Sequence, residues 1–176
     1  MDDKILVGKR ILMVDDEIDV LETLEELLEN NHITKATSFD SALSFLENQS
    51  FDIAILDIMG VDGFRLLDIA NEKKILSVML TAHALSPDIT VKAYKRGAAY
   101  FVPKDRMSDI GIFLKDVFEC AEKGEDVWKT WLQRLEDYYN ERFGQDWKDE
   151  ERDFWQAIAS QNWSLAANFR QRDDNK

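Results

Sequence analysis

Phe51-Asp52-Ile53-Ala54-Ile55-Leu56-Asp57 is a short apolar run of branched residues that stops on an acid. Its length and composition predict a strand buried on both faces, as in the middle of a parallel sheet. Three other runs read the same way: Ile11-Leu12-Met13-Val14-Asp15-Asp16, Val78-Met79-Leu80-Thr81-Ala82 and Tyr100-Phe101-Val102-Pro103-Lys104. Ligands of open α/β sheets sit beyond the carboxyl ends of the strands. Asp15, Asp16, Asp57, Thr81 and Lys104 are therefore expected to converge. Crowded carboxylates invite a divalent cation, and a lysine beside them invites an anion.

The intervening segments alternate with these runs as helices. Ile18, Leu21, Leu24, Leu27 and Leu28 recur at helical spacing, with Glu22, Glu25, Glu26 and Glu29 on the other face. A short strand is expected over 33–37, and Ser38 reads as the N-cap of a helix carrying Ala42, Leu43, Phe45 and Leu46. A third helix runs from Gly63 through Leu66, Leu67 and Ala70. Ser86-Pro87-Asp88 is a strong helix start, with Ile89, Val91, Ala93 and Tyr94 behind it and a stop near Gly97. A fifth strand over 98–102 and a helix bearing Ile110, Phe113, Leu114, Val117 and Phe118 complete the pattern. Five strands alternating with five helices predict an α/β, doubly wound parallel sheet.

The order Asp15-Asp16, Leu56-Asp57, Thr81-Ala82, Lys104 closely resembles the receiver domain of two-component response regulators, over roughly residues 9–123. The resemblance implies a flavodoxin-like five-stranded sheet of order 2-1-3-4-5. It implies that Asp57 accepts a phosphoryl group from a histidine kinase or phosphotransfer protein. An aspartate is a poor nucleophile toward an anionic phosphoryl group unless charge is neutralised. The family does this with Mg2+, held here by Asp16 and Asp57, by Asp15 through a water, and by the backbone carbonyl of Met59. Lys104 would contact a phosphoryl oxygen. Thr81 would hydrogen-bond the same group and report occupancy to the helix beginning at Ser86. Phe101 reads either as an aromatic that turns inward with Thr81 or as plain core. His83 takes a position where the family tunes the lifetime of the phosphoryl group. Taken singly, each residue has an ordinary reading, such as acids at a helix N-terminus; the constellation carries the claim.

Two departures from the family pattern stand out. Asp57-Ile58-Met59-Gly60-Val61-Asp62-Gly63 reaches its Asp-Gly two residues early and has no proline; Gly60 and Gly63 are expected to permit the tighter turn by taking positive φ. Proline precedes the functional lysine, as Pro103-Lys104, so any cis bond would be Val102-Pro103.

The chain has 176 residues and a net charge of −13. That balance argues against nucleic acid and against an anionic membrane surface as partners. No apolar run approaches the ~20 residues of a membrane span, and the cytoplasm is the default expectation. The single cysteine, Cys120, has no partner for an internal disulfide. The expected division is a receiver over 1–123 and a helical extension over 124–176.

All five tryptophans, Trp128, Trp131, Trp147, Trp155 and Trp163, fall in that extension. Trp128, Trp131, Leu132, Leu135, Tyr138, Tyr139 and Phe143 predict an amphipathic helix ended by Gly144. Asp146 is expected to cap a second helix with Trp147, Phe154, Trp155, Ile158 and Ala159, and 162–169 a third short piece. From Glu125 onward there are eight Lys and Arg against twelve Asp and Glu, a net of −4, which is no DNA-binding effector. The extension packs on its own receiver, forms a homodimer, or docks a partner. Lys92, Lys95, Arg96, Tyr100 and Arg106 predict a cationic readout edge for an acidic partner or for the tail itself.

The function expected is a phosphorylatable regulator that switches a protein–protein contact. The alternative is a degenerate receiver serving as a constitutive scaffold. A separate enzyme, such as an aspartyl-phosphate hydrolase, is disfavoured because Met59 stands where those place a second acid.

Overall fold

The computed structural model describes residues 3–82, 85–162, 166–167 and 169–170. Its strands are β1 (Arg10–Val14), β2 (His32–Ala36), β3 (Ile53–Asp57), β4 (Leu76–Thr81) and β5 (Tyr100–Pro103). Its helices are α1 (Ile18–Leu27), α2 (Phe39–Asn48), α3 (Gly63–Glu72), α4 (Pro87–Lys95), α5 (Ile110–Lys123), α6 (Trp128–Phe143) and α7 (Arg152–Ala159). A 3-10 turn, Lys104–Asp109, joins β5 to α5. The five strands form one parallel sheet in the order β2-β1-β3-β4-β5.

The order follows from the residues. β3 is buried at all five positions and β1 at its last four, as central strands between helical layers must be. β2 is mostly uncovered and takes an edge. The caps act as expected at two helices: the Ser38 hydroxyl accepts from the Ser41 amide within a capping box, and Ser86 accepts from the Ile89 amide ahead of Pro87.

β5 is an edge strand in the ladder, yet all four of its residues are buried. The cover is the C-terminal extension. The Trp128 indole N–H donates to the Ala98 carbonyl at 3.0 Å and that of Trp131 to the Phe101 carbonyl at 2.7 Å. Acceptors that a bare edge would leave open are thereby filled. Rings continue the seal: Tyr94 meets Trp128 and Phe154 edge-on, and Trp131 stacks on Trp155 at 5.7 Å. The Tyr139 and Thr90 hydroxyls share a buried hydrogen bond of 2.6 Å between α6 and α4, and Arg134 of α6 pairs with Asp116 of α5. One continuous apolar core therefore runs from the sheet into the extension.

The extension departs from expectation at its second helix. α7 begins at Arg152, not at Asp146. Residues 145–151 form turns, and the Asp146 carbonyl accepts from the Asp149 amide. Trp147 sits in that turn: its indole donates to the Asn140 side chain at 2.9 Å and its ring packs on Tyr139 and Trp155. Trp147 shares the helical spacing because it faces the same cluster as the helical aromatics, though from a turn. Of the piece expected over 162–169, Trp163 lies outside the described residues; the Ala166 amide donates to the Asn162 carbonyl.

Candidate functional site

β1 and β3 end side by side, so the residues at and just beyond their last positions meet at the carboxyl edge. Asp15, Asp16 and Asp57 bring carboxylate oxygens within 4.8 Å of one another. Asp15 and Asp57 are buried, at 1% and 4% exposure, while Asp16 is exposed. Thr81 closes β4 and is buried beside them. Lys104 follows β5 and reaches across: its Nζ lies 2.8 Å from Asp15 Oδ2 and 3.3 Å from Asp57 Oδ1.

Local structure explains each placement. Asp15 Oδ1 accepts from the Glu17 amide at 2.9 Å, so the acid also serves the open N–H groups at the start of α1. That leaves Oδ2, which is buried and faces the Lys104 ammonium at 2.8 Å. A buried carboxylate oxygen that already faces a positive charge is placed to serve a cation. Gly60 takes φ +79°, and a Cβ on it would stand 2.6 Å from the Asp16 carboxylate. Gly63 is needed for a different reason than a positive φ: a Cβ there would lie 1.9 Å from the Asp57 carbonyl oxygen. The left-handed residue at that end of the loop is Asp62, with φ 53°. Met59 is exposed. The chain has no cis peptide bond among the described residues, Val102-Pro103 included.

Glu17 is the site residue that pattern reading missed. Its Oε1 holds Lys104 Nζ at 2.8 Å. An acid just after an Asp-Asp pair looks like helix N-terminal chemistry, and only the cross-sheet reach of Lys104 reveals its second role. Three carboxylates, Asp15, Glu17 and Asp57, thus surround one ammonium, with Asp16 beside Asp15 and Asp57. Burial, then the charge of Asp15, pushes the Asp57 carboxyl up to about 6, against the opposing pull of Lys104. Burial alone would lower the Lys104 ammonium, but its hydrogen bonds to Asp15 and Glu17 and the nearby carboxylate charges outweigh it and hold it above its ordinary value. Excess negative charge in a partly desolvated cleft is the condition under which a hard divalent cation binds, and the donor set is all oxygen.

The expected cationic edge is largely engaged. Lys95 pairs with Glu151 of the extension at 3.6 Å, Arg96 with Asp68, and Arg106 with Asp109. Lys92 lies over the Phe64 ring, and Tyr100 is buried against Phe113. Phe101 is wholly buried. His83 lies outside the described residues.

Known proteins resemble this chain in sequence and fold. The sequence profile of the response regulator receiver domain matches residues 11–110. The two-component response regulator ARR18 of Arabidopsis thaliana is 39% identical over 108 residues, covering 58% of this chain and 17% of that protein. The heme response regulator HssR of Staphylococcus aureus is 38% identical over 98 residues, covering 53% of this chain and 43% of its own length. The chain thus spans less than half the length of these relatives. Among solved structures, the CheY-like receiver domain protein of Methanospirillum hungatei superposes with a TM-score of 0.60 at 26% identity, covering 66% of this chain and 98% of that one. The NtrX receiver domain of Brucella abortus gives 0.56 at 30% identity over 62% and 98% of the two chains. No described helix is long and apolar enough to cross a membrane. By sheet order, by the acids gathered at its carboxyl edge and by these matches, the chain belongs to the response regulator receiver family of two-component signalling and carries a helical extension beyond it.

Proposed function

We propose that this chain is a phosphorylatable response regulator whose phosphoacceptor is Asp57. The observation that carries the reading is Lys104, whose ammonium spans Asp15 and Asp57 with Asp16 alongside. An Asp57 oxygen attacks phosphorus, and the bond from phosphorus to the donor's imidazole nitrogen breaks. The donor is a histidine kinase or a phosphotransfer protein, which goes with a cytoplasmic site of action. Mg2+ supplies charge neutralisation when bound. Asp15, Asp16, Asp57 and the Met59 carbonyl would hold it, a set short enough to leave water in the remaining positions. Lys104, already in contact with Asp15 and Asp57, would meet an incoming phosphoryl oxygen, and the Thr81 hydroxyl would take another.

Asp57 must be ionised to attack. With its carboxyl titrating near 6, the nucleophile is available at neutral pH and is withdrawn as pH falls below that value. The protein acts on no separate substrate and catalyses only the gain and loss of its own phosphoryl group. Its output is a protein–protein contact. The division is a receiver over 1–123 and an extension over 124–176, with the left-handed Gly124 closing α5 between them.

Intact-mass analysis after incubation with acetyl phosphate and Mg2+ tests this. One phosphoryl adduct is expected, dependent on Mg2+ and absent in Asp57→Ala. An unmodified wild-type chain in the presence of both acetyl phosphate and a competent kinase would favour the scaffold reading instead.

A further inference from the structure

The extension grips the segment that carries Lys104 on both sides of it. Upstream, the Trp131 indole N–H donates to the Phe101 carbonyl at 2.7 Å. Downstream, the Tyr138 hydroxyl donates to Asp105 Oδ2 at 3.0 Å, with Arg142 3.9 Å from the same oxygen. Trp131 and Tyr138 are two turns apart on one face of α6, a rise of about 10 Å. Residues 101–105 span at most about 13 Å when extended. The helix rise lies within that reach, so one helix holds both ends of a short piece of chain. That piece contains Pro103, at φ −63° and ψ 136°. Proline fixes its own φ, so displacement at Phe101 or Asp105 passes to Lys104 with little slack. α6 is itself anchored sideways, to α4 through Thr90 and Tyr139 and to α5 through Asp116 and Arg134.

We propose that α6 is a positioning element of the phosphoacceptor site: Trp131 and Tyr138 set where Lys104 stands, and occupancy of Asp57 is coupled to how α6 is held. This rests on Asp57 being the phosphoacceptor. It goes beyond that reading by assigning the extension a part in the site itself. Free Lys104 lies between Asp15, Glu17 and Asp57; a phosphoryl group on Asp57 draws the ammonium to a new set of oxygens and moves residues 101–105 with it. Coupling is reciprocal, so weakening the grip changes the chemistry and changing the chemistry is felt at the indole.

The test uses the full chain, labelled with 15N. Indole N–H resonances of Trp128 and Trp131 are assigned from the Trp128→Phe and Trp131→Phe variants. Beryllium fluoride with Mg2+ serves as a stable mimic of aspartyl phosphate, and acetyl phosphate gives the rate. On occupancy, the Trp131 indole signal is expected to shift clearly and that of Trp128, bound further from Lys104 at Ala98, to shift less. Neither moves in Asp57→Ala. Tyr138→Phe keeps the ring and removes only the hydroxyl at a partly exposed position. It and Asp105→Ala are each expected to slow phosphorylation about three-fold, the size of one lost hydrogen bond, with the melting temperature lowered by no more than that bond's worth. The double variant is expected to be no slower than either single one, because both remove the same contact. An adduct at Asp57 with an unmoved Trp131 resonance overturns the coupling and leaves the phosphoacceptor standing; so do rates unchanged in both variants, or two losses that multiply. No adduct at Asp57 from any donor overturns the phosphoacceptor and the coupling together.

Discussion

The two edges of the sheet meet water in opposite ways. β2 presents an open margin, short and partly polar, with Lys35 paired to Glu25 of α1. β5 presents none: indoles take the carbonyls of Phe101 within it and of Ala98 just before it, and all four of its residues are buried. Both are solutions to the same hazard, an unpaired ladder that recruits other chains. The first uses charge on exposed positions. The second uses a covering layer, and that layer lies beside Lys104. The difference teaches that the chain's burial is invested on one side, where strand, lysine and extension share a core, while the other side is left to solvation.

Three substitutions probe that asymmetry. The largest effect is expected at the covered edge. Trp128→Ala removes a wholly buried ring and its hydrogen bond to Ala98, and a loss of about 3–5 kcal/mol should appear in denaturant unfolding. A loss under ~1 kcal/mol would mean that α6 is a loose cover and would erase the contrast. Between the edges, the phosphoacceptor works against stability. The Asp57 carboxyl is raised from 3.8 to about 6, so the folded state binds more protons than the unfolded one in that interval. The stability this contributes is complete below pH 3.8 and is lost as pH rises through 6. Asp57→Asn is therefore expected to be more stable than wild type at pH 7 without Mg2+, by about 2–3 kcal/mol, with the advantage vanishing near pH 4 and shrinking when Mg2+ is added. Thermal melts over pH 4–8 would show it, and a flat difference would remove Asp57 as its source. The smallest effect belongs to the open edge. Lys35→Ala breaks an exposed pair and should cost under ~0.5 kcal/mol, within the error of the same melts; a larger cost would mean that β2 is not the margin left to water.

Much of this was legible in the residues. The four apolar runs placed the sheet, and Ser38 and Ser86 placed two helix starts, because strand burial and capping are local consequences of composition. Boundaries slipped by a residue or two: the second strand, read as 33–37, is His32–Ala36, and the fifth, read as 98–102, is Tyr100–Pro103. The acids and the lysine came together because topology brings strand ends together. Three things were hidden, each for a physical reason. Glu17 wears the chemistry of a helix start and gains its second role only from Lys104 across the sheet. Gly63 answers to the Asp57 backbone that lies against it, a proximity no turn propensity encodes. The place of the extension was open among three choices, since an aromatic face states that it will be buried and not by what. Trp147 shows the same limit on a smaller scale, filling its slot in the cluster from a turn.

The indole bonds that close β5 join residues 30 positions apart in both cases. A ribosome adds about 5–20 residues per second. Each of these two carbonyls is thus made about 1.5–6 seconds before its donor, by that rate. For that interval every new copy has a strand with its outer face bare, in a crowd of other nascent chains, and the time at risk is set by the pace of translation rather than by the stability of the finished fold.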